Sequence, residues 1–259
     1  MNTISMKIPT SWNQLTTRQI LFVCRLFLAN LTLQNFRIRA FCHFTEIKPF
    51  RKVAYNSESA FLFYKGKTMF TIEAQEMIWF LKSVDYLTTD SNLTVNLFPS
   101  FHILWKRFRG PARKCFDITF LEFFHAEFAL FMFGKTKEVR YLEHLCSILY
   151  RSSRLKPFNE GKFKSKSRWF KLLSTKRKYT VYIFYAGCRN ALFNAYPNLQ
   201  RKNTTSSSRQ QIENPASNLK KIVYQLTLGD ITKKREIENT PVWQAFDYLS
   251  MMVEQNEKK

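Results

Sequence analysis

A run of aromatic and aliphatic residues at 120–134 restricts the fold of this chain more than any other feature. It reads FLEFFHAEFALFMFG, and large apolar side chains fall on every side of the helix that its spacing predicts. Thr119 and Glu122 have the spacing of a capping box, which marks the helix start, and Gly134 is the expected end. Because a helix that is apolar all round needs partners on every side, we expect it at the centre of the core.

The rest of the chain predicts more helices and few strands. Six glycines and eight prolines in 259 residues are too few for the turn signal every ~8–12 residues that a β-sandwich needs. Residues 60–72 are the exception, because two apolar runs flank Lys65-Gly66-Lys67 and indicate a β-hairpin. We therefore predict a mainly α, multi-helix globular domain with a small β-hairpin insertion at 60–72, and a short strand beside it at 93–98.

Helical spacing of apolar residues gives the predicted elements. The first helix starts at a second capping box, formed by Thr16 and Gln19, with Trp12 packing back onto it. Further helices are predicted at 33–45, 73–88, 137–150, 179–196, 215–228 and 240–255. The residues expected at the centre of the packing are Phe123, Phe124, Phe128, Leu145 and Phe184.

Changes in composition predict the domain organisation. Residues 1–200 are expected to form one helical core domain, which contains the hairpin and a basic connector at 151–178. The segment 201–214 is polar and rich in serine and threonine, which is typical of a flexible linker. Residues 215–259 then form a C-terminal pair of helices.

The basic connector 151–178 is the strongest candidate for a binding site. The chain carries a formal net charge of +22, and this segment alone holds eleven cations and one anion. Concentrated positive charge is typical of a site for nucleic acid or an acidic protein, although it also occurs on a merely solvated face. We expect 162–178 to be an exposed segment joining two core helices. The residues predicted to bind a partner or polyanion are Lys162, Lys164, Lys166, Arg168, Trp169, Lys171, Lys176, Arg177 and Lys178.

Catalytic and metal chemistry find no support in the sequence. The five cysteines are scattered without a CxxC pair, so we expect them to be buried and reduced. His43, His125 and His144 have carboxylates nearby, but not at metal-ligand spacing. We therefore predict a non-enzymatic protein without cofactor or metal. The chain shows no signal-peptide pattern and no long apolar run, which favours a cytoplasmic protein without a membrane partner.

Two motifs, one near each end of the chain, resemble those of a known family. The first, in KIPTSWNQLTTRQI, consists of Pro9, Ser11, Trp12, Leu15 and Thr16. The second, in LTLGDIT, consists of Leu226, Thr227, Gly229, Asp230 and Thr232. Together they resemble uncharacterised proteins of Bacteroidetes prophages.

The resemblance implies a function by analogy with phage tail modules. It implies a phage accessory protein of the bacterial cytoplasm, acting as a tail assembly chaperone. Its partner would be a helical phage structural protein, such as a tape-measure-like protein. The alternative is a nucleic-acid-binding accessory protein that uses 151–178.

Overall fold

The protein has a mainly α fold, as its composition predicts. The computed structural model describes residues 6–55, 58–153, 158–199, 230 and 233–257, and within them are nine α-helices and two small antiparallel sheets. The chain divides into two compact units, residues 1–91 and 92–259, which are described separately. The predicted core domain 1–200 spans both units. The predicted linker 201–214 and the predicted helix 215–228 lie outside the described residues.

Two capped helices begin the first unit. Helix α1 (Thr17–Leu28) starts at the predicted capping box, in which the Thr16 side chain accepts from the Gln19 backbone N–H and the Gln19 side chain accepts from the Thr16 backbone N–H. Helix α2 (Leu33–Thr45) has the predicted bounds and ends at Glu46, whose φ is 59°. Local capping chemistry therefore sets these boundaries.

A three-stranded sheet and a short helix complete the first unit. Strands β2 (Glu58–Lys65) and β3 (Thr68–Glu73) form the predicted hairpin, and β1 (Lys48–Tyr55) adds a third antiparallel strand. Helix α3 (Ala74–Lys82) ends earlier than predicted, since a separate 3-10 turn follows at Asp85–Thr88.

The N-terminal motif of the resemblance has a structural role in this unit. Trp12 and Leu15 are both 2% exposed, and the Trp12 indole N–H donates to the carbonyl of Tyr86 at 3.0 Å. Thr16 caps α1. These residues therefore fix the segment 12–16 against the rest of its unit.

The described part of the second unit contains a hairpin and six helices. The hairpin consists of β4 (Ser100–Ile103) and β5 (Lys106–Arg109). The helices are α4 (Phe120–Thr136), α5 (Val139–Leu149), α6 (Glu160–Phe170), α7 (Thr175–Ala195), α8 (Lys234–Asn239) and α9 (Val242–Glu257).

Residues 93–98 are not a strand, so that prediction was wrong. Leu93 is fully buried, and its backbone lies so close to Gly187 of α7 that a Cβ atom there would overlap its N and O atoms. This segment therefore packs against a helix, and within the described residues it is not part of a sheet. The strand pair forms further along the chain, in β4 and β5.

Helix α4 is central to the second unit, as its aromatic sequence predicts. Phe123, Phe124, Leu145 and Phe184 are buried, whereas Phe128 is only half-buried, contrary to the prediction. Gly134 does not end α4, because the helix continues to Thr136. The left-handed residue that ends it is Lys137, with φ 57°.

Two buried ion pairs lie in the part of the second unit that the structure describes. Arg151 Nε is 3.0 Å from Glu122 Oε1, and Lys178 Nζ is 2.8 Å from Glu143 Oε1. All four residues are less than 9% exposed. Removing either partner would leave an uncompensated charge in the core.

The cysteines are buried, as predicted. None of the five forms a disulfide. Burial raises the pKa of the Cys42 thiol to about 11, which keeps it protonated at neutral pH.

Candidate nucleic-acid interface

The basic segment 162–178 is helical along most of its length, so it is a packed element and not the connector that the sequence predicts, although most of its cations are exposed as predicted. Asn159 caps α6 by accepting from the Lys162 backbone N–H at 3.1 Å. Phe163, Ser167 and Phe170 are buried at positions i, i+4 and i+7, which gives α6 an inward face. The last residues of the segment, 175–178, begin α7.

The predicted binding residues fall into two groups by burial. Lys178 is 3% exposed and paired with Glu143, so it is not available to a ligand at the surface. Lys166 and Trp169 are half-buried. The other predicted residues are exposed, namely Lys162, Lys164, Arg168, Lys171, Lys176 and Arg177.

Helical spacing divides the α6 cations between two sides of the helix. Lys162, Lys166 and Trp169 follow one another at intervals of four and three residues, so they share one side. Lys164, Arg168 and Lys171 share the other side for the same reason. Trp169 therefore lies on the same side of α6 as Lys162 and Lys166.

The β4–β5 hairpin contributes residues that the sequence did not reveal. Its two-residue turn consists of Leu104 and Trp105, which are 64% and 79% exposed. The Trp105 ring meets the Trp169 ring edge-to-face at a centroid distance of 5.9 Å. Lys106 Nζ lies 4.1 Å from the centroid of the Trp169 ring, a cation–π contact. We call Trp105, Lys106, Lys162, Lys166 and Trp169 the tryptophan surface.

Packing below the tryptophan surface holds its two elements together. The Phe108 ring of β5 lies 5.0 Å from the Phe170 ring of α6. Phe108 and Phe170 are 3% and 0% exposed, so this contact belongs to the core. The hairpin and the helix are therefore held together by a buried contact, and their outer residues lie side by side at the surface.

The electrostatics of the tryptophan surface favour an anion. Burial lowers the pKa of Lys166, and the nearby charges of Arg151 and Lys162 lower it further. Like charges held together repel, and a bound anion relieves that repulsion. Since Lys162 is exposed and Lys166 half-buried, a ligand has access to both.

The turn that carries Trp105 has a strained backbone. Leu104 has φ 53°, in the left-handed region where glycine or asparagine is usual. A bulky residue in this region costs ~1–3 kcal/mol and persists where the surroundings enforce it. The absence of a turn glycine also explains why FHILWKRFR was not identified as a hairpin from sequence.

Two histidines lie on the opposite side of α6. His125, Phe128, His144, Phe163 and Lys164 line a cleft of about 220 Å³. The rings of His125 and His144 lie 5.2 and 6.0 Å from the ring of Phe163. His125 Nε2 is also 3.3 Å from the Glu160 carboxylate. The packing of α6 against the rest of the unit therefore includes contacts with both imidazole rings.

We expect the stability of the protein to fall as the pH drops below 6.5. Burial lowers the pKa of His144 from 6.5, the charges of Lys164 and Arg140 lower it further, and Glu143 opposes them. The unfolded chain therefore binds a proton below this pH that the folded chain resists, so the free energy of unfolding decreases. Urea titrations at about pH 7.5 and about pH 5.5 measure the change. In His144→Gln the decrease should be smaller, and an unchanged decrease would contradict the assignment.

Metal-binding clusters and membrane-spanning helices are absent from the part of the chain that the structure describes. No three His, Cys, Asp or Glu residues there are grouped so that they would hold a metal ion. None of the helices in the described ranges has both the length and the apolar character needed to cross a bilayer.

The second motif of the resemblance lies mostly beyond the described residues. Leu226, Thr227, Gly229 and Thr232 are outside them. Asp230 is described, and its carboxylate lies 3.9 Å from Lys233 Nζ.

Comparison of the chain with protein-family models, curated proteins and solved structures finds no match. The resemblance to prophage proteins therefore stays a prediction.

Proposed function

We propose that this protein binds single-stranded nucleic acid on the tryptophan surface. The observation that carries the proposal is the exposed Trp105 at a hairpin tip, in contact with Trp169 and beside Lys106. An indole face stacks on any unpaired base, and lysines neutralise the adjoining phosphates. The surface offers both interactions, since Lys106 Nζ lies 4.1 Å from the centroid of the Trp169 ring.

A solvated basic face accounts less well for this arrangement. Solvation needs only charged side chains, whereas Leu104 and Trp105 expose large apolar groups on a turn that disfavours a bulky residue. An acidic protein segment would satisfy the lysines but gives no particular role to the exposed indole face. In a nucleotide, the base can stack on the indole and the phosphate can pair with the lysines.

The test is fluorescence anisotropy of a labelled oligothymidine, titrated with the protein at two salt concentrations. We expect Trp105→Ala and Trp169→Ala each to weaken binding roughly tenfold, since a base–aromatic stack contributes ~1–3 kcal/mol. Trp79→Ala is the matched control, because Trp79 is also well exposed, at 69%, but lies on α3. It should leave the affinity unchanged.

The charge contribution is tested by a second pair of variants. We expect Lys162→Ser with Lys166→Ser to weaken binding and to reduce the slope of log affinity against log salt by ~0.7 for each phosphate that the protein no longer neutralises. Lys67→Ser with Lys82→Ser removes the same charge from exposed positions in the first unit and should change neither quantity. The proposal fails if wild type binds no oligonucleotide, or if test and control variants behave alike.

The second candidate function is that of a tail assembly chaperone with a helical protein partner. The observation that favours it is a groove of about 490 Å³ between α8 and α9. Ile237 and Met252 line this groove, together with Tyr248 and Met251, which are 54% and 59% exposed. Amphipathic helices bind in grooves of this kind. Failure of the oligonucleotide titration would make this candidate the preferred one.

A further inference from the structure

The first unit contains a large cleft, and the residues that line it have no part in the proposed function. Its volume is about 650 Å³, within the ~300–1,000 Å³ typical of small-molecule sites. It lies where α1, the end of α2 and the start of β1 meet. We call it the α1–α2 cleft and define it by Arg18, Phe22, Arg39, His43, Glu46 and Lys48.

One wall of the α1–α2 cleft contains a stacked pair of aromatic rings. The rings of Phe22 and His43 are stacked with a centroid distance of 3.7 Å and an interplanar angle of 13°. Both rings are half-buried, so part of each remains accessible. Phe44 and Ile47 also line the cleft and are buried. Such a wall suits a planar apolar group, which gains dispersion energy and sheds water on contact.

The charged residues of the cleft are mostly cations. Arg18, Arg39 and Lys48 are exposed, and Glu46 is the one carboxylate among the residues that line the cleft. Within the described ranges none of these three cations forms an ion pair. The cleft therefore carries an excess of positive charge that an anionic group would offset.

His43 adds a neutral polar group to the wall. Burial lowers its pKa, the charge of Arg18 lowers it further, and the nearby Glu46 opposes them. At neutral pH the imidazole therefore stays uncharged, with one nitrogen able to donate a hydrogen bond and the other able to accept one.

We propose that the α1–α2 cleft binds a small planar organic anion. The planar body of the ligand contacts the accessible part of the stacked Phe22–His43 pair, and its carboxylate, sulfonate or phosphate faces Arg18, Arg39 and Lys48. This site is separate from the tryptophan surface, because all the residues that line it belong to the first unit. Its test is therefore independent of the nucleic-acid proposal.

The test uses two fluorescent probes that differ in charge. 1-Anilinonaphthalene-8-sulfonate combines a planar naphthalene ring with an anionic sulfonate, and N-phenyl-1-naphthylamine is its neutral counterpart. We expect Arg39→Gln to weaken binding of the sulfonate probe roughly tenfold, the change that ~1.4 kcal/mol produces. Arg25→Gln is the matched control, since Arg25 is an exposed cation of α1 that does not line the cleft. The neutral probe should respond to neither variant.

Glu46→Gly removes a negative charge from the cleft, whereas Arg39→Gln removes a positive one. Glu46 has φ 59°, which glycine adopts without strain, so this variant removes the carboxylate and should also stabilise the helix end. We expect it to tighten binding of the sulfonate probe while thermal unfolding shows an intact fold. Looser binding in the folded variant would contradict the proposal.

Proton NMR locates the probe. The chain has four histidines, so the His43 resonances can be assigned from a His43→Gln sample. We expect the sulfonate probe to shift the His43 resonances and to leave those of His102, His125 and His144 in place. The proposal is overturned if His43 does not respond, if Arg25→Gln weakens binding as much as Arg39→Gln, or if inorganic phosphate displaces the probe at equal concentration.

Discussion

Substitution of Gly187 by alanine is expected to destabilise the protein by about 3 kcal/mol or more, the upper end of the range for overpacked cores. A Cβ atom at this position would overlap the backbone N, C and O atoms of Leu93. A side chain can rotate away from such an overlap, but the backbone of a fully buried residue cannot. Urea unfolding followed by far-UV circular dichroism measures the effect.

Gly134→Ala is the matched control for this experiment. Gly134 also lies inside a long helix, but a Cβ atom there would meet nothing within 4 Å. Alanine is the better helix former, so we expect a gain of ~0.5–1 kcal/mol. If the two substitutions changed stability by the same amount, the close approach of Leu93 to α7 would be wrong.

Breaking the buried Lys178–Glu143 pair should have an effect of similar size. Lys178→Met leaves the Glu143 carboxylate without its partner inside the core, which costs about 3–5 kcal/mol in comparable cases. Replacement of both residues, by Lys178→Met with Glu143→Leu, removes both buried charges and should restore most of the stability. The midpoint of urea unfolding reports both effects.

The exposed pair Arg140–Glu138 is the control for the buried one. Its side chains are 59% and 45% exposed, although its Nε–Oε2 distance of 2.7 Å is as short as that of the buried pair. Solvent screening limits such a pair to ~0.2–1 kcal/mol. A decrease in stability for Arg140→Met equal to that for Lys178→Met would mean that Lys178 is not buried.

Local motifs were the part of the fold that could be predicted from sequence. Both capping boxes, at Thr16 and Thr119, are present in the structure. The hairpin at 60–72 is present too, because Gly66 with φ 61° supplies the turn that the sequence indicates. These features depend on neighbouring residues, so a single sequence contains the information that specifies them.

Only part of the candidate site could be predicted from the sequence. The density of lysines in 162–171 concealed the spacing of Phe163, Ser167 and Phe170, which is what makes α6 a docked helix. Trp105 was missed because it lies 64 residues before Trp169 and in a turn without glycine. Lys178 was misassigned because its partner Glu143 is 35 residues away. Long-range contacts decide the cases of Trp105 and Lys178, and helical or strand periodicity does not report such contacts.

The packing beneath the tryptophan surface affects both the rate and the entropy of ligand binding. Because α6 is held by Phe163 and Phe170 and the hairpin by Phe108, a ligand meets groups that are already in position. Association then carries little of the ordering entropy that a disordered basic tail loses when it folds on its target. The clustered positive charge also attracts a polyanion from a distance and raises the association rate at low ionic strength. A rigid cationic surface of this kind favours rapid, reversible capture of its ligand.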